Sequence, residues 1–498
     1  SVDLTQAVLV SKQESVVYAP VSVEYFMGEL DWQQQAQSWQ LSGHEIQLKM
    51  NGDAWPTTDF SIQKQQENDW IITSNYLRLS DITAVASLSG QSPEIIRKQQ
   101  PAGDLDSFSL QYTAAEGVNK LAFNIRDGVI LPWQNYPGVT GLTASVNWQE
   151  GIANLKLDSH QITFYPETWL DDAVFFDSVT GELNLRQQDQ FWTLQSHALR
   201  LWNDDLSIQF DGSVQHASDG KVSNDLKITL QDVVVNRWQA YVPQKILSNS
   251  FKKWSKNAFL AGNIVDGIIE LKGDLAAFPY EAEPEKGQFN MSLQAENVQL
   301  HYGPEWPDLV GVTGTITGSG NDLIIKSQLG KIAGFNFVDV TTTIDKLTED
   351  KPILRVAGSL KGSTANALLF LQNSPLKQRF GKVAKAADAQ GLSNIQLSLM
   401  VPLADEDATE VSGNVSFIDS QLQSKSLPKL TMSKINGKLN FTNNGVMAQN
   451  IKARVLDAPV NINVSPKGDA TIVSASSQVS MQQVEQRWPD VLPKFISG

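Results

Sequence analysis

Apolar and polar side chains alternate with a period of two through most of this chain, and few folds accept that pattern. Leu206-Ser-Ile-Gln-Phe210, Leu226-Lys-Ile-Thr-Leu230, Ile395-Gln-Leu-Ser-Leu399 and Val460-Asn-Ile-Asn-Val464 each put apolar residues on one face and polar residues on the other. A strand with one wet face reads this way, because successive side chains leave opposite faces of the sheet. Parallel sheets covered on both faces read instead as unbroken apolar runs. Turn signals separate the strands at Asn203-Asp-Asp205, Ser218-Asp-Gly220, Gly318-Ser-Gly-Asn321 and Asn443-Asn-Gly445. The expected fold is mainly β and antiparallel.

Two stretches break the alternation. Trp238 and Tyr241 lie three apart, and Phe251, Trp254 and Ala258 follow at spacings of three and four. Pro243 suits the first position of a second helix there, where its missing N–H costs nothing. From Ser363, a Ser-Thr start leads into Ala365-Asn-Ala-Leu-Leu-Phe-Leu371, and Ser374-Pro375 restarts a helix expected to end before Gly391. Both stretches read as helical insertions that lay an apolar face on the sheet.

Lining up the strands exposes an internal repeat. Asn124 to Pro137 precedes Gly138-Val-Thr-Gly141 and an alternating strand; Leu293 to Leu309 precedes Gly311-Val-Thr-Gly314 and another. Weaker copies run from Phe417 through Pro428 to Gly437, and Ser178-Val-Thr-Gly181 stands alone. Each fuller copy reads as a strand, a Pro-containing crossover and a hairpin opening at a Gly. The spacing is irregular, so the expectation is a one-dimensional array of diverged β repeats. The expected partition is an N-terminal β segment over 1–117, β repeats over 118–234, 263–362 and 391–498, and helical insertions over 235–262 and 363–390.

Chemistry-bearing motifs are scarce. The chain of 498 residues has no Cys, which excludes disulfides, thiolate zinc sites and Cys nucleophiles. Its net charge of −15 argues against nucleic acid as a partner, since a phosphate backbone needs a basic footprint. No nucleotide-binding loop, nucleophile elbow or zinc-binding helix motif occurs. His44, His160, His197, His216 and His301 are isolated, and a metal site needs ligands grouped at close spacing. The carboxylate runs Asp171-Asp172, Asp204-Asp205 and Asp405-Glu406-Asp407 read as solvated turns, because glycosidic chemistry needs two carboxylates across a cleft. Thirteen Trp residues leave carbohydrate binding open as a reading, although Trp55-Pro56, Trp306-Pro307 and Trp488-Pro489 fit plugs at the ends of a core. The expectation is a non-enzyme without cofactor or metal. No apolar run approaches the ~20 residues of a membrane-spanning helix. The chain starts at Ser1 without Met or a basic leader, which reads as a processed or excised segment.

Several short motifs carry a resemblance. Tyr241-Val-Pro243, Trp254, Ala258, Gly262, Leu271-Lys-Gly-Asp-Leu275, Phe278-Pro-Tyr280, Gly287-Gln-Phe289, Tyr302 and Trp306-Pro-Asp-Leu309 occur in order. With Phe370-Leu-Gln-Asn-Ser-Pro-Leu376, Trp55-Pro56 and Leu77-Arg-Leu79, they resemble the central region of the YhdP family, large AsmA-like envelope proteins of Gram-negative bacteria. The likeness covers about residues 20 to 465. It implies an elongated, twisted antiparallel sheet bent into a groove, in the periplasm. It also implies phospholipid acyl chains as ligand, an inner-membrane anchor outside this chain, and outer-membrane components as partners. The family supplies no catalytic residues.

A sheet with one apolar face must cover that face. A second sheet makes a sandwich; an open groove leaves the face to lipid tails, at about 0.8 kcal/mol per buried CH₂. Composition leaves both open, while the repeat array and the resemblance favour the groove. The candidate lining residues are Val146, Trp148, Leu155, Leu157, Leu183, Leu185, Leu206, Ile208, Phe210, Leu226, Ile228 and Leu230. The functional expectation is movement of phospholipid between inner and outer membranes. The alternatives are an envelope assembly factor without lipid transfer, or a polysaccharide-binding β protein.

Overall fold

A computed structural model describes the chain except for residues 11–19, 36, 66–68, 89–92, 135, 167–169, 189–190, 244, 246, 350, 406–407, 427–429, 468–469 and 488–498. Glu406, Asp407, Pro428, Trp488 and Pro489, singled out in the sequence, therefore lie outside the described residues. Among the described residues, twenty-six strands form one antiparallel sheet that is not closed, and helices are few. The chain meanders: strand follows strand, from Val2–Leu9 against Val21–Gln35 to Ala458–Lys467 against Ala470–Ser477. Short turns between alternating segments favour this order, because only neighbours in sequence can be joined by a two-residue loop.

The sheet divides into two compact units. The first comprises Ser1–Gln231, Gln239–Gln244 and Ile268–Gln288; the second comprises Asp232–Trp238, Lys245–Gly267 and Phe289–Gly498. In the first unit, two helices absent from the sequence expectation interrupt the strands: α1 (Leu79–Leu88) and α2 (Glu94–Gln99). Ala84 and Leu88 of α1 pack on Val21, Val23 and Met50. The β-branched residues and the Thr-Ala-Val-Ala alternation within α1 hide its helical period.

The second unit holds α3 (Asn249–Ala258), α4 (Thr364–Gln372) and α5 (Lys377–Lys385). The helix expected to open at Pro243 would run through residues 244 and 246, which lie outside the described residues. Helix α3 starts at Asn249, where the Ser248 hydroxyl accepts from the Phe251 N–H at 3.2 Å and supplies the cap. Helix α5 ends at Lys385 rather than just before Gly391, because the strand Ala387–Pro402 begins at once. Phe251, Trp254 and Ala258 of α3 are buried with Ile344, Leu354, Leu399, Val401 and Val411 of the sheet. Ala367 and Phe370 of α4 pack on a neighbouring cluster built from Ile332, Phe335, Val340 and Leu360.

The glycines of the repeat do not open hairpins. Gly141 and Gly181 lie inside the strands Gly138–Gln149 and Val174–Gln188, opposite a bulge in the next strand. At Gly181 (φ +139°) an added Cβ would lie 2.7 Å from the Ala198 carbonyl oxygen, and at Gly141 (φ +80°) 2.7 Å from that of Gln161. Ala198 and Gln161 are the bulged residues, with φ of +47° and +55°. An alanine in that left-handed region costs about 1–2 kcal/mol, so neighbouring contacts must hold it there. Buried serines satisfy backbone groups that the bulges free: Ser159 both accepts from the Thr143 N–H and donates to the Thr143 carbonyl, each at 2.9 Å. The repeat legible in the sequence is thus a mid-strand close approach rather than a turn.

Candidate functional site

Register turns separate alternating strands into one apolar surface. In the first unit Trp32 pairs with Leu41, Leu41 with Ile62, Ile62 with Ile72, Ile72 with Leu110, and Leu110 with Leu121. The row continues from Leu121 to Trp148, Ala153, Leu185, Leu194 and Val214, and ends at Asn224. Directly opposed residues in an antiparallel pair project to the same side, so eleven apolar side chains share one face without a polar break. A parallel row runs Phe123, Val146, Leu155, Leu183, Ser196, Gly212 and Leu226.

All twelve residues singled out in the sequence lie on this face. Trp148 and Leu185 belong to the first row; Val146, Leu155, Leu183 and Leu226 belong to the second. Leu157 pairs with Ala144, Leu206 with Asn203, Ile208 with Leu230, and Phe210 with Ile228. Leu157 and Leu206 are buried, at 8% and 3% exposure, and the other ten are half-buried. Among the described residues those ten keep part of their surface exposed, where the core of a sandwich would be buried. The opposite face carries exposed Asn147, Asn154, Lys156, Asp158, Glu182, Asp225 and Lys227.

The second unit has its own row, which sequence reasoning did not single out. Phe337, Leu360, Ile395, Val415, Leu439, Ala448, Val464 and Val473 are successive cross-strand partners. The same alternation in Ile395-Gln-Leu-Ser-Leu399 and Val460-Asn-Ile-Asn-Val464 could have found it. Exposure rises to 63% at Val473 on the last strand. Beside it, Phe417, Leu422, Met432, Ile435, Ile451, Ile462, Val473 and Ala475 line a hollow with apolar side chains alone.

Polar groups near the faces serve the fold. Tyr76 donates to Asp104 Oδ1 at 2.6 Å, and burial, then this carboxylate, push its phenol up to about 12. Burial also raises the Tyr302 phenol. Asp205, one of the adjacent carboxylates, accepts from the Tyr241 hydroxyl at 2.8 Å. His301 Nδ1 lies 2.8 Å from Asp308 Oδ1. Trp306 packs in the core with Tyr302 and Phe370, as a plug would. Among the described residues no cluster of three or more His, Asp and Glu is placed to hold a metal, and no helix is long and apolar enough to cross a membrane.

The family described as "YhdP protein" matches residues 3–498. The intermembrane phospholipid transporter YhdP of Escherichia coli (strain K12) is 21% identical over 461 residues, covering 87% of this chain. The chain spans 35% of that relative's length. No solved structure matches.

Proposed function

The chain belongs to the YhdP family, and from that premise we propose that it is a periplasmic, lipid-carrying section of an intermembrane phospholipid transporter. The apolar face of each unit lines a groove that holds acyl chains, with headgroups left toward water. The longer protein of which it forms part is anchored in the inner membrane and reaches outer-membrane components.

The observation that carries this reading is the apolar row from Trp32 to Val214, in which Trp32 and Leu194 are exposed, Ala153 is buried and the rest are half-buried. Neighbouring strands lie about 4.8 Å apart, so its ten intervals follow a contour of about 48 Å. A bilayer core of about 30 Å holds two opposed tails, which allots about 15 Å to each. The row therefore accommodates several tails in succession. Each CH₂ removed from water contributes about 0.8 kcal/mol, and no specific polar contact is needed. A non-directional attraction of that kind suits a surface along which lipids move.

Native mass spectrometry, with lipid extraction and chromatography, tests the proposal. Phospholipid co-purifying with the chain, or taken up from phosphatidylethanolamine and phosphatidylglycerol vesicles, is the expected result. A chain that neither retains nor takes up lipid overturns it.

A further inference from the structure

We propose that Asp59, Asp211, Thr313, Asn436 and Asn463 are positioning residues that clamp recurrent bulges in each unit and so keep that unit's apolar face curved for acyl chains. The inference rests on the groove reading above and adds to it the residues that set the shape.

One arrangement recurs in both units. A bulged residue in the left-handed region sits mid-strand, and its N–H is held by a side-chain oxygen from the following strand. Glu45 N–H donates to Asp59 Oδ1 at 2.8 Å, and Ala198 N–H donates to Asp211 Oδ1 at 2.8 Å. In the second unit Asn297 N–H donates to Thr313 Oγ1 at 3.3 Å, Asp419 N–H to Asn436 Oδ1 at 3.0 Å, and Asn450 N–H to Asn463 Oδ1 at 2.8 Å. All five bulged residues have φ between +45° and +56°. On the preceding strand a glycine faces each bulge: Gly28, Gly181, Gly262, Gly391 and Gly437. The ladder register shifts at these places.

Each bulge bends its strand and raises the local twist. A single bulge is a local irregularity, but bulges repeated through an antiparallel sheet curve it. A bulge also leaves an N–H without a ladder partner, and an unclamped strand can slip by a residue to recover it. Such a slip would turn the apolar side chains to the wrong face. The clamp removes that option by giving the orphan N–H a partner of fixed reach. Clamps differ chemically (carboxylate, amide, hydroxyl) but each presents an acceptor oxygen at the same place, which points to geometry rather than charge as the shared requirement.

The test uses Asp211→Ala and Asp211→Asn in the first unit, and Asn463→Ala and Asn463→Asp in the second. Spin labels on cysteines introduced at exposed, outward-facing Asn147 and Ser223 report the curvature of the first unit; the chain has no other Cys. Asp211→Ala is expected to shift or broaden that distance distribution and to cut bound phospholipid by at least about half. Asp211→Asn, which keeps an acceptor oxygen as Asn436 and Asn463 do, is expected to restore both. Asn463→Ala should speed hydrogen exchange at the Asn450 amide and lower lipid content, and Asn463→Asp should reverse both. An unchanged distance distribution in Asp211→Ala overturns the proposal. So does a changed distribution that leaves lipid content at the parental level. A parent chain that binds no lipid, with a distribution that still responds to Asp211→Ala, rejects the groove reading and leaves the clamps as the source of curvature.

Discussion

Ile208 and Leu230 are direct cross-strand partners on the apolar face, and both stay half-buried. A carboxylate placed at either position keeps part of its hydration. In a sealed core the same charge would cost several kcal/mol, a large share of a domain's stability. Ile208→Asp and Leu230→Asp should therefore each destabilise by only about 1–2 kcal/mol, within the ordinary range for point changes. Thermal unfolding measured with bound-lipid content should show near-parental melting and lost lipid. Collapse of the fold would mean that the face is a closed core.

Trp254 offers the contrast. Its ring is buried in the second unit against Phe251 and Phe259, and its indole N–H donates to the Tyr302 carbonyl at 3.0 Å. Trp254→Ala should cost about 3–5 kcal/mol by cavity formation. Trp148→Ala, on the half-buried face of the first unit, should cost well under half as much. Urea titrations of the two variants check the ordering.

Asp81 is a buried carboxylate at 5% exposure. It accepts from the Trp55 indole N–H at 2.8 Å and from Asn51 Nδ2 at 3.3 Å, with Arg78 Nη1 at 3.8 Å. Asp81→Ala leaves those donors without their acceptor and should destabilise by about 2–3 kcal/mol. Trp55→Phe removes one donor and should cost about 1 kcal/mol. A double-mutant cycle should show strong coupling between the two sites, and additive losses would count against the contact.

The Tyr76 phenol fixes a pH dependence. Its folded-state value lies near 12 against an ordinary 10.0. Between these values the unfolded chain has released the proton while the folded chain retains it, so stability falls as pH rises from about 10 toward 12. Tyr76→Phe should remove this part of the alkaline slope. Ultraviolet titration of phenolate, parent against variant, should show one late-titrating group lost.

How much could be read in advance differs by element. Strands such as Leu206–Ala217 and Val222–Val234 were legible because a period of two is written in adjacent residues. Helices α3 and α4 were legible through spacing and a Ser start. Helix α1 was not, since its β-branched and small residues imitate a strand. The twelve candidate residues share one face because their parity was correct, yet the row that joins Trp32 to Val214 could not be drawn. It depends on ten registers, each set by a turn or a bulge remote from the residues it aligns. The glycines of the repeat read as hairpin openings, because the bulges they face on the next strand were out of view.

The sequence by itself determined the strand-rich, antiparallel, one-sided character of this protein, because alternation is a property of neighbours along the chain. Only the tertiary structure decided which apolar residues stand side by side, and which of them are covered. Phe251, Trp254 and Ala258 bury Leu354 and Val401 in the second unit, while Ile208 and Leu230 in the first stay half-buried. Burial is set by what comes to lie on a face, and that is a relation between segments far apart in sequence, which no local pattern encodes.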